Sequence, residues 1–179
     1  MSEAAWVVGA VAVQRLIELV HARRNEAALR AAGGIEVGAG HYPLIVALHA
    51  GWLGAVLATA APAPADAPLL LAYAALQGLR VWTVGALGRY WTTRVITVPG
   101  APLVRRGPYR LLRHPNYLVV AAEIAVLPLA FHAMATAVLF SALNAALLAR
   151  RIRVEDAALA ARPGDRSRSS VWPRGAKLH

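Results

Sequence analysis

Five apolar runs, at about residues 4–21, 43–61, 67–87, 117–131 and 133–149, take up most of this 179-residue chain. Each is near the length that an α-helix needs to cross a hydrocarbon core. The expected fold is therefore all-α: an integral membrane bundle of five transmembrane helices. The last two runs are short, and Pro128, Phe131 and His132 place a tight helical hairpin between them, with an extension of the final helix beyond residue 149. Residues are 58% hydrophobic and 16% charged, against roughly 25% charged in soluble domains. Five spans leave no room for a second, soluble domain. Residues 1–161 read as one transmembrane domain, and "RPGDRSRSS" opens a loose polar tail over 162–179. The first run carries Gln14, Arg15 and Glu18, too polar for a signal peptide awaiting removal.

Charge alternates along the connections. Arg23, Arg24 and Arg30 follow the first run; "APAPAD" (61–66) has no Lys or Arg. Arg89, Arg94, Arg105, Arg106, Arg110 and Arg113 follow the third run; the fourth connection has none; Arg150, Arg151 and Arg153 begin the tail. By the positive-inside rule the N-terminus is expected outside, with the first connection, the third connection and the C-terminus in the cytoplasm. An excess of 19 Lys+Arg over 9 Asp+Glu would suit nucleic acid only on an exposed soluble surface, and these arginines sit beside apolar runs. With no cysteine, disulfides, thiolate metal sites and thiol nucleophiles are excluded.

Charges at membrane depth cost about 2.5 kcal/mol or more, so each needs a partner or a task. Arg15 and Glu18 can pair at i,i+3; contact with another helix is the alternative. Arg80 and Glu123 can neutralise one another across the bundle, or Glu123 can face a ligand. His41 and His49 are eight residues apart around Pro43, not a helical metal pair, so no metal is expected. His49 reads as a packed helix histidine and His41 as interfacial. Tyr42, Trp52, Trp82, Tyr90 and Trp91 read as part of an aromatic belt. Asn144, Arg151 and Glu155 share one face of the last helix, as either a surface ion pair or a polar wall descending into the bundle.

The stretch "RRGPYRLLRHPNYL" (105–118) concentrates arginines, prolines, tyrosines and a histidine next to a membrane segment. Gly107, Tyr109, His114, Pro115 and Tyr117, then Arg151 and Glu155 within "RIRVEDAAL", stand in the order and spacing Gly-x-Tyr, four residues, His-Pro-x-Tyr, hairpin, Arg-x-x-x-Glu. This ordered set resembles the isoprenylcysteine carboxyl methyltransferase family of integral-membrane, S-adenosylmethionine-dependent enzymes. Upstream, "RLIELVHARRNEAALRAAGGIEVGAGHYPLIVALH" and "LGRYWTTRVITVPGAPLVRRGPY" are similar to a bacterial branch that O-methylates alkylpyrones and alkylresorcinols.

The resemblance implies S-adenosylmethionine as cofactor. It implies a donor pocket lined by Ala101, Pro102, Leu103, Val104, Tyr109, His114, Pro115, Asn116 and Tyr117, with Glu155 at the donor's charged or ribose end. Arg151 and Glu155 become the catalytic pair; Arg151, Asn144 and Glu123 become the acceptor contacts. Arg94 matches a cofactor-contacting position only loosely, and Asp156 stands where relatives often have a second Glu. The acceptor is expected to be a lipophilic carboxylate, enol or phenol entering from the bilayer. A membrane scaffold that binds anionic lipids, or a phospholipid N-methyltransferase, is the alternative.

Overall fold

The computed structural model describes residues 2–101 and 104–160, with the side chains of 159 and 160 left aside. Among them run five helices: α1 (Glu3–Ala31), α2 (Tyr42–Thr59), α3 (Ala67–Leu87), α4 (Pro115–Ala130) and α5 (Met134–Ala160). All but α4 are long and apolar enough to cross a membrane. At 16 residues, α4 spans about 24 Å, short of a core about 30 Å thick. The tight turn after α4 is present, but its second arm is not short. α5 absorbs the hairpin arm and the extension into one 27-residue helix, because nothing between Met134 and Ala160 breaks it. The expected tail, 162–179, lies outside the described residues.

Local sequence sets the helix ends. The Ser2 hydroxyl accepts from the Ala5 N–H at 3.2 Å, and the Asp66 carboxylate accepts from the Leu69 N–H at 2.9 Å; both are N-caps. α1 stops at Gly33 and Gly34. A Cβ on Gly34 would lie 2.6 Å from the Leu29 carbonyl oxygen, so only glycine fits there. Pro128 lies inside α4 and cannot donate to the Ile124 carbonyl. The Trp52 indole N–H takes that place at 3.2 Å, so the break costs α4 no unpaired acceptor in lipid. Trp52 is thus core, and so is Trp91, stacked on His21; the expected belt keeps Trp82 at the surface. His41 is buried rather than interfacial, beside Gly38, which approaches Val154 of α5. His49 is a packed helix histidine, its Nδ1 2.8 Å from the Ile45 carbonyl.

The bundle has two unlike ends. At one, the connections without Lys or Arg are joined by backbone bonds, Ala61 N–H to Phe131 O at 3.1 Å and Asp66 N–H to Ala130 O at 2.9 Å. At the other, the basic connections meet. Strands β1 (Ile35–Glu36) and β2 (Ile96–Thr97) pair antiparallel, Ile35 opposite Thr97 and Glu36 opposite Ile96. The Arg94 guanidinium bonds Glu36 at 2.6 Å and lies 4.1 Å over the Tyr42 ring; Arg30 also pairs with Glu36. Burial pulls the Glu36 carboxyl upward, but these two guanidiniums outweigh it and hold the group below its ordinary value of 4.5. Arg94 is thereby committed to this clasp.

Between the ends, α1, α3 and α4 are joined by four charges. Arg15 bonds Glu18 and Glu123, each at 2.9 Å. Arg80 bonds Glu18 at 2.7 Å and Glu123 at 3.0 Å. Gln77 donates to the other Glu123 oxygen at 2.9 Å. The local pair and the interhelical contact read from the sequence therefore coexist, as one electrically neutral network. Below it, toward the non-basic end, Val8, Val56, Tyr73, Leu127 and Phe131 pack in the apolar core.

Candidate active site at the start of α4

Pro115 opens α4 because it has no N–H to lose and its ring presets the helical φ. The residue before it, His114, stays outside the helix at φ −130°, and its side chain makes no cap hydrogen bond. Its ring instead stacks on Tyr117, centroids 5.3 Å apart at 20°. His114 Nε2 lies 3.1 Å from Asp156 Oδ1, and the same oxygen pairs with Arg113 at 3.2 Å. Asp156 thus ties the turn before α4 to α5. The sequence reading left this position without a role; its signal was an acid adjacent to Glu155, facing a His–Pro helix start.

Tyr117 stands at the centre. Its hydroxyl accepts from Arg151 Nε at 2.8 Å and donates to Glu155 Oε2. Arg151 and Glu155 are one helical turn apart on α5, so both reach the same phenol. Arg151 is buried, with its guanidinium carbon 5.6 Å from the centre of the Tyr117 ring. Of the two sequence readings, the inward wall describes this face: no direct ion pair joins Arg151 to Glu155 among the described residues. There, too, the two terminal amino groups of Arg151 and Glu155 Oε1 make no hydrogen bond. Two turns earlier Asn144 is buried, also without a partner among the described residues.

Two further polar atoms lie in the same segment, and Tyr109 is within reach of the Glu155 charge. Tyr109 Oη and Asn116 Oδ1 are buried without a partner among the described residues, a state that costs about 1–3 kcal/mol per group unless something else binds them. Burial first, and then the Glu155 charge, push the Tyr109 phenol above its ordinary value of 10, which keeps its proton in place as a donor. Upstream, the chain turns at Gly100, φ +74°, where the Ala101 N–H reaches the Val98 carbonyl at 3.2 Å. Val104 is half-buried; Pro102 and Leu103 lie outside the described residues.

The sequence-derived candidates therefore divide. Tyr109, His114, Tyr117, Arg151 and Glu155 come together, while Pro115 and Asn116 occupy the same first turn of α4. Glu123 stands apart, about 9 Å farther along α4 from Tyr117, its oxygens taken by Arg15, Arg80 and Gln77. Among the described residues no three His, Asp or Glu side chains gather as a metal site.

Comparison with known proteins bears on the same residues. The family model for the isoprenylcysteine carboxyl methyltransferase (ICMT) family matches residues 69–161, a span that begins in α3 and contains every group around Tyr117. Uncharacterized protein YpbQ of Bacillus subtilis (strain 168) is 39% identical over 160 residues, covering 86% of this chain and 95% of that protein. No solved structure matches. With more than half its length matched, including α4, α5 and the turn that joins the site to α3, the chain belongs to the isoprenylcysteine carboxyl methyltransferase family.

Proposed function

We propose that the chain is an S-adenosylmethionine-dependent O-methyltransferase that acts on a lipophilic acceptor, a carboxylate, enol or phenol of an isoprenoid or polyketide-type lipid. The observation that carries the reading is the Tyr117 hydroxyl bridging Arg151 and Glu155 while the outer guanidinium nitrogens stay unengaged among the described residues.

The donor set suits this cofactor. S-adenosylmethionine presents a sulfonium, an amino-acid zwitterion and a ribose. The cluster offers the Glu155 carboxylate, the Tyr109 phenol, the buried Asn116 carbonyl and the first N–H groups of α4. We assign Glu155, Tyr109, His114, Pro115, Asn116 and Tyr117 to holding it, with Ala101 and Val104 as a further wall. When bound, the cofactor supplies an electrophilic methyl carbon.

The protein's own task is to fix an acceptor oxygen against that carbon. The Arg151 amino groups bind and aim an oxyanion, as a planar fork does well. Holding reactants in line accounts for much of the acceleration such a site can give. A carboxylate or acidic enol arrives ionised and needs no strong base; a phenol has to release its proton to water at the basic end, with the Arg151 guanidinium favouring the phenolate. Tyr117 prevents Arg151 from collapsing onto Glu155, and the Asp156–His114 contact fixes the ring that stacks on Tyr117. Asn144, deeper on the same face of α5, meets the acceptor beyond its head. Glu123 enters this reading as scaffold. An amine acceptor would be repelled by Arg151, which disfavours phospholipid N-methylation. The basic end is assigned to the cytoplasm, where the donor is dissolved, and the N-terminus to the outside.

The test is direct. The purified protein should bind S-adenosylmethionine or its demethylated product saturably, and lipid extracts incubated with isotopically labelled donor should contain a labelled methyl ether or ester. Absence of saturable binding supports a lipid-binding scaffold instead.

A further inference from the structure

The segment that leads into the site also carries an exposed surface. Leu111 is 82% exposed and Leu112 47%, and Arg110 and Arg113 flank them, both exposed. No acidic residue occurs between Asp66 and Glu123. Arg105 and Arg110 have no partner among the described residues, and Arg113 shares Asp156 with His114.

The surface is held in place by its own backbone. The N–H groups of Leu111 and Leu112 donate to the Pro108 carbonyl at 3.1 and 3.0 Å, and Pro108 is buried. Gly107, at φ +54°, brings the turn so close to α3 that a Cβ there would meet the Ala86 methyl at 3.0 Å. Arg106 Nε fastens it by donating to the Ala86 carbonyl at 2.6 Å. The two leucines therefore point outward because the fold turns them outward.

We infer that Arg105 and the Arg110–Leu111–Leu112–Arg113 segment form a docking surface for an anionic phospholipid headgroup in the leaflet at the basic end of the bundle. The segment lies at the basic end of the bundle, between α3, which is long and apolar enough to cross a membrane, and the apolar α4. Leu118 on the first turn of α4 is 59% exposed and continues the apolar surface into the lipid-facing side. A solvated basic loop has no use for exposed leucines between its arginines, and a soluble anion would leave them wet. A phospholipid covers both chemistries: its phosphate meets the guanidiniums, and its glycerol and upper acyl carbons cover the leucines.

The chain has no cysteine, so Leu111→Cys creates a single labelling site. With the full chain in vesicles of phosphatidylcholine and phosphatidylglycerol, a nitroxide at 111 should be relaxed by oxygen and shielded from a water-soluble nickel chelate. Free access of the chelate overturns the inference, and shielding from both reagents reports a protein partner and overturns it too. Native mass spectrometry from mixed micelles of the same two lipids supplies the charge test. The Arg105→Gln/Arg110→Gln variant should lose preferential retention of phosphatidylglycerol on the order of tenfold; unchanged retention overturns the assignment of the headgroup. Neither readout involves methyl-donor binding, so this inference and the proposed function fail separately.

Discussion

Two groups of ionisable side chains meet on α4, one at Glu123 and one at Tyr117, and they are built on opposite rules. Around Glu123 each charge meets its opposite directly, Arg15 and Arg80 against Glu18 and Glu123. Its leftover atoms, Arg15 Nε, Tyr73 Oη and Gln77 Oε1, leave the sum of charge at zero. Around Tyr117 the opposite charges of Arg151 and Glu155 are kept apart by a phenol that bonds both. The first group closes on itself and joins three helices. The second is held open, with outer guanidinium nitrogens and one carboxylate oxygen unengaged among the described residues, which is the feature the proposed function rests on. Family membership alone does not distinguish them; geometry does.

Removing one partner from the closed group should have the largest effect. Glu123→Ala leaves two arginines facing one carboxylate in the bundle and should cost about 3–5 kcal/mol, read as a lowered unfolding midpoint in detergent. Arg80→Met combined with Glu123→Met should restore most of that loss. If Glu123→Ala keeps its stability but loses acceptor affinity, the assignment of Glu123 to the scaffold is wrong.

At the open group the order reverses, with small stability effects and large functional ones. Arg151→Ala should keep affinity for the demethylated cofactor while turnover falls by about a hundredfold or more. Glu155→Ala should lose cofactor binding itself, measured by calorimetric titration. Equal loss of both properties in both variants would erase the division of labour between the two residues.

Tyr117→Phe tests the spacer. Stability should change by about 1 kcal/mol, while cofactor affinity and turnover fall together, because the guanidinium and carboxylate are then free to pair. Wild-type kinetics in this variant would show that the bridge is incidental.

The smallest effect belongs to the clasp at Glu36. Its carboxyl is held below 4.5, so the linked stability is fully present above that value and is lost as pH falls through the lower, folded-state value. Hydrogen exchange at residues 35–37 and 95–97 should quicken in acid by an amount corresponding to about 1 kcal/mol or less, and Glu36→Gln should remove the pH dependence.

Much of this was legible in the sequence because it rests on spacing. Helix existence follows from the length of the apolar runs, and Arg151 with Glu155 follows from i,i+4 geometry. The alternation of basic connections anticipated that they would meet at one end. What escaped depends on contacts between distant segments. The two-residue strands are too short to show a period, and Trp52 looked interfacial because its partner, the carbonyl freed by Pro128, is 72 residues away. Arg15 joining Glu123 could not be read from either helix, since helix rotation is set by packing. The extension of α5 past residue 149 is legible because Asn144, Arg151 and Glu155 keep helical spacing after the hydropathy falls.

The backbone stitching of the non-basic end carries one mechanical consequence. With Ala61 bound to Phe131 and Asp66 to Ala130, the bend between α4 and α5 is fixed to the connection between α2 and α3. From that bend to Arg151 the helix runs about 26 Å, so a change of about 5° in its direction would displace the guanidinium by about 2 Å. The fixed bend thus sets the origin from which both helices run, and the contacts of Tyr117 with Arg151 and Glu155 rejoin them at the opposite end.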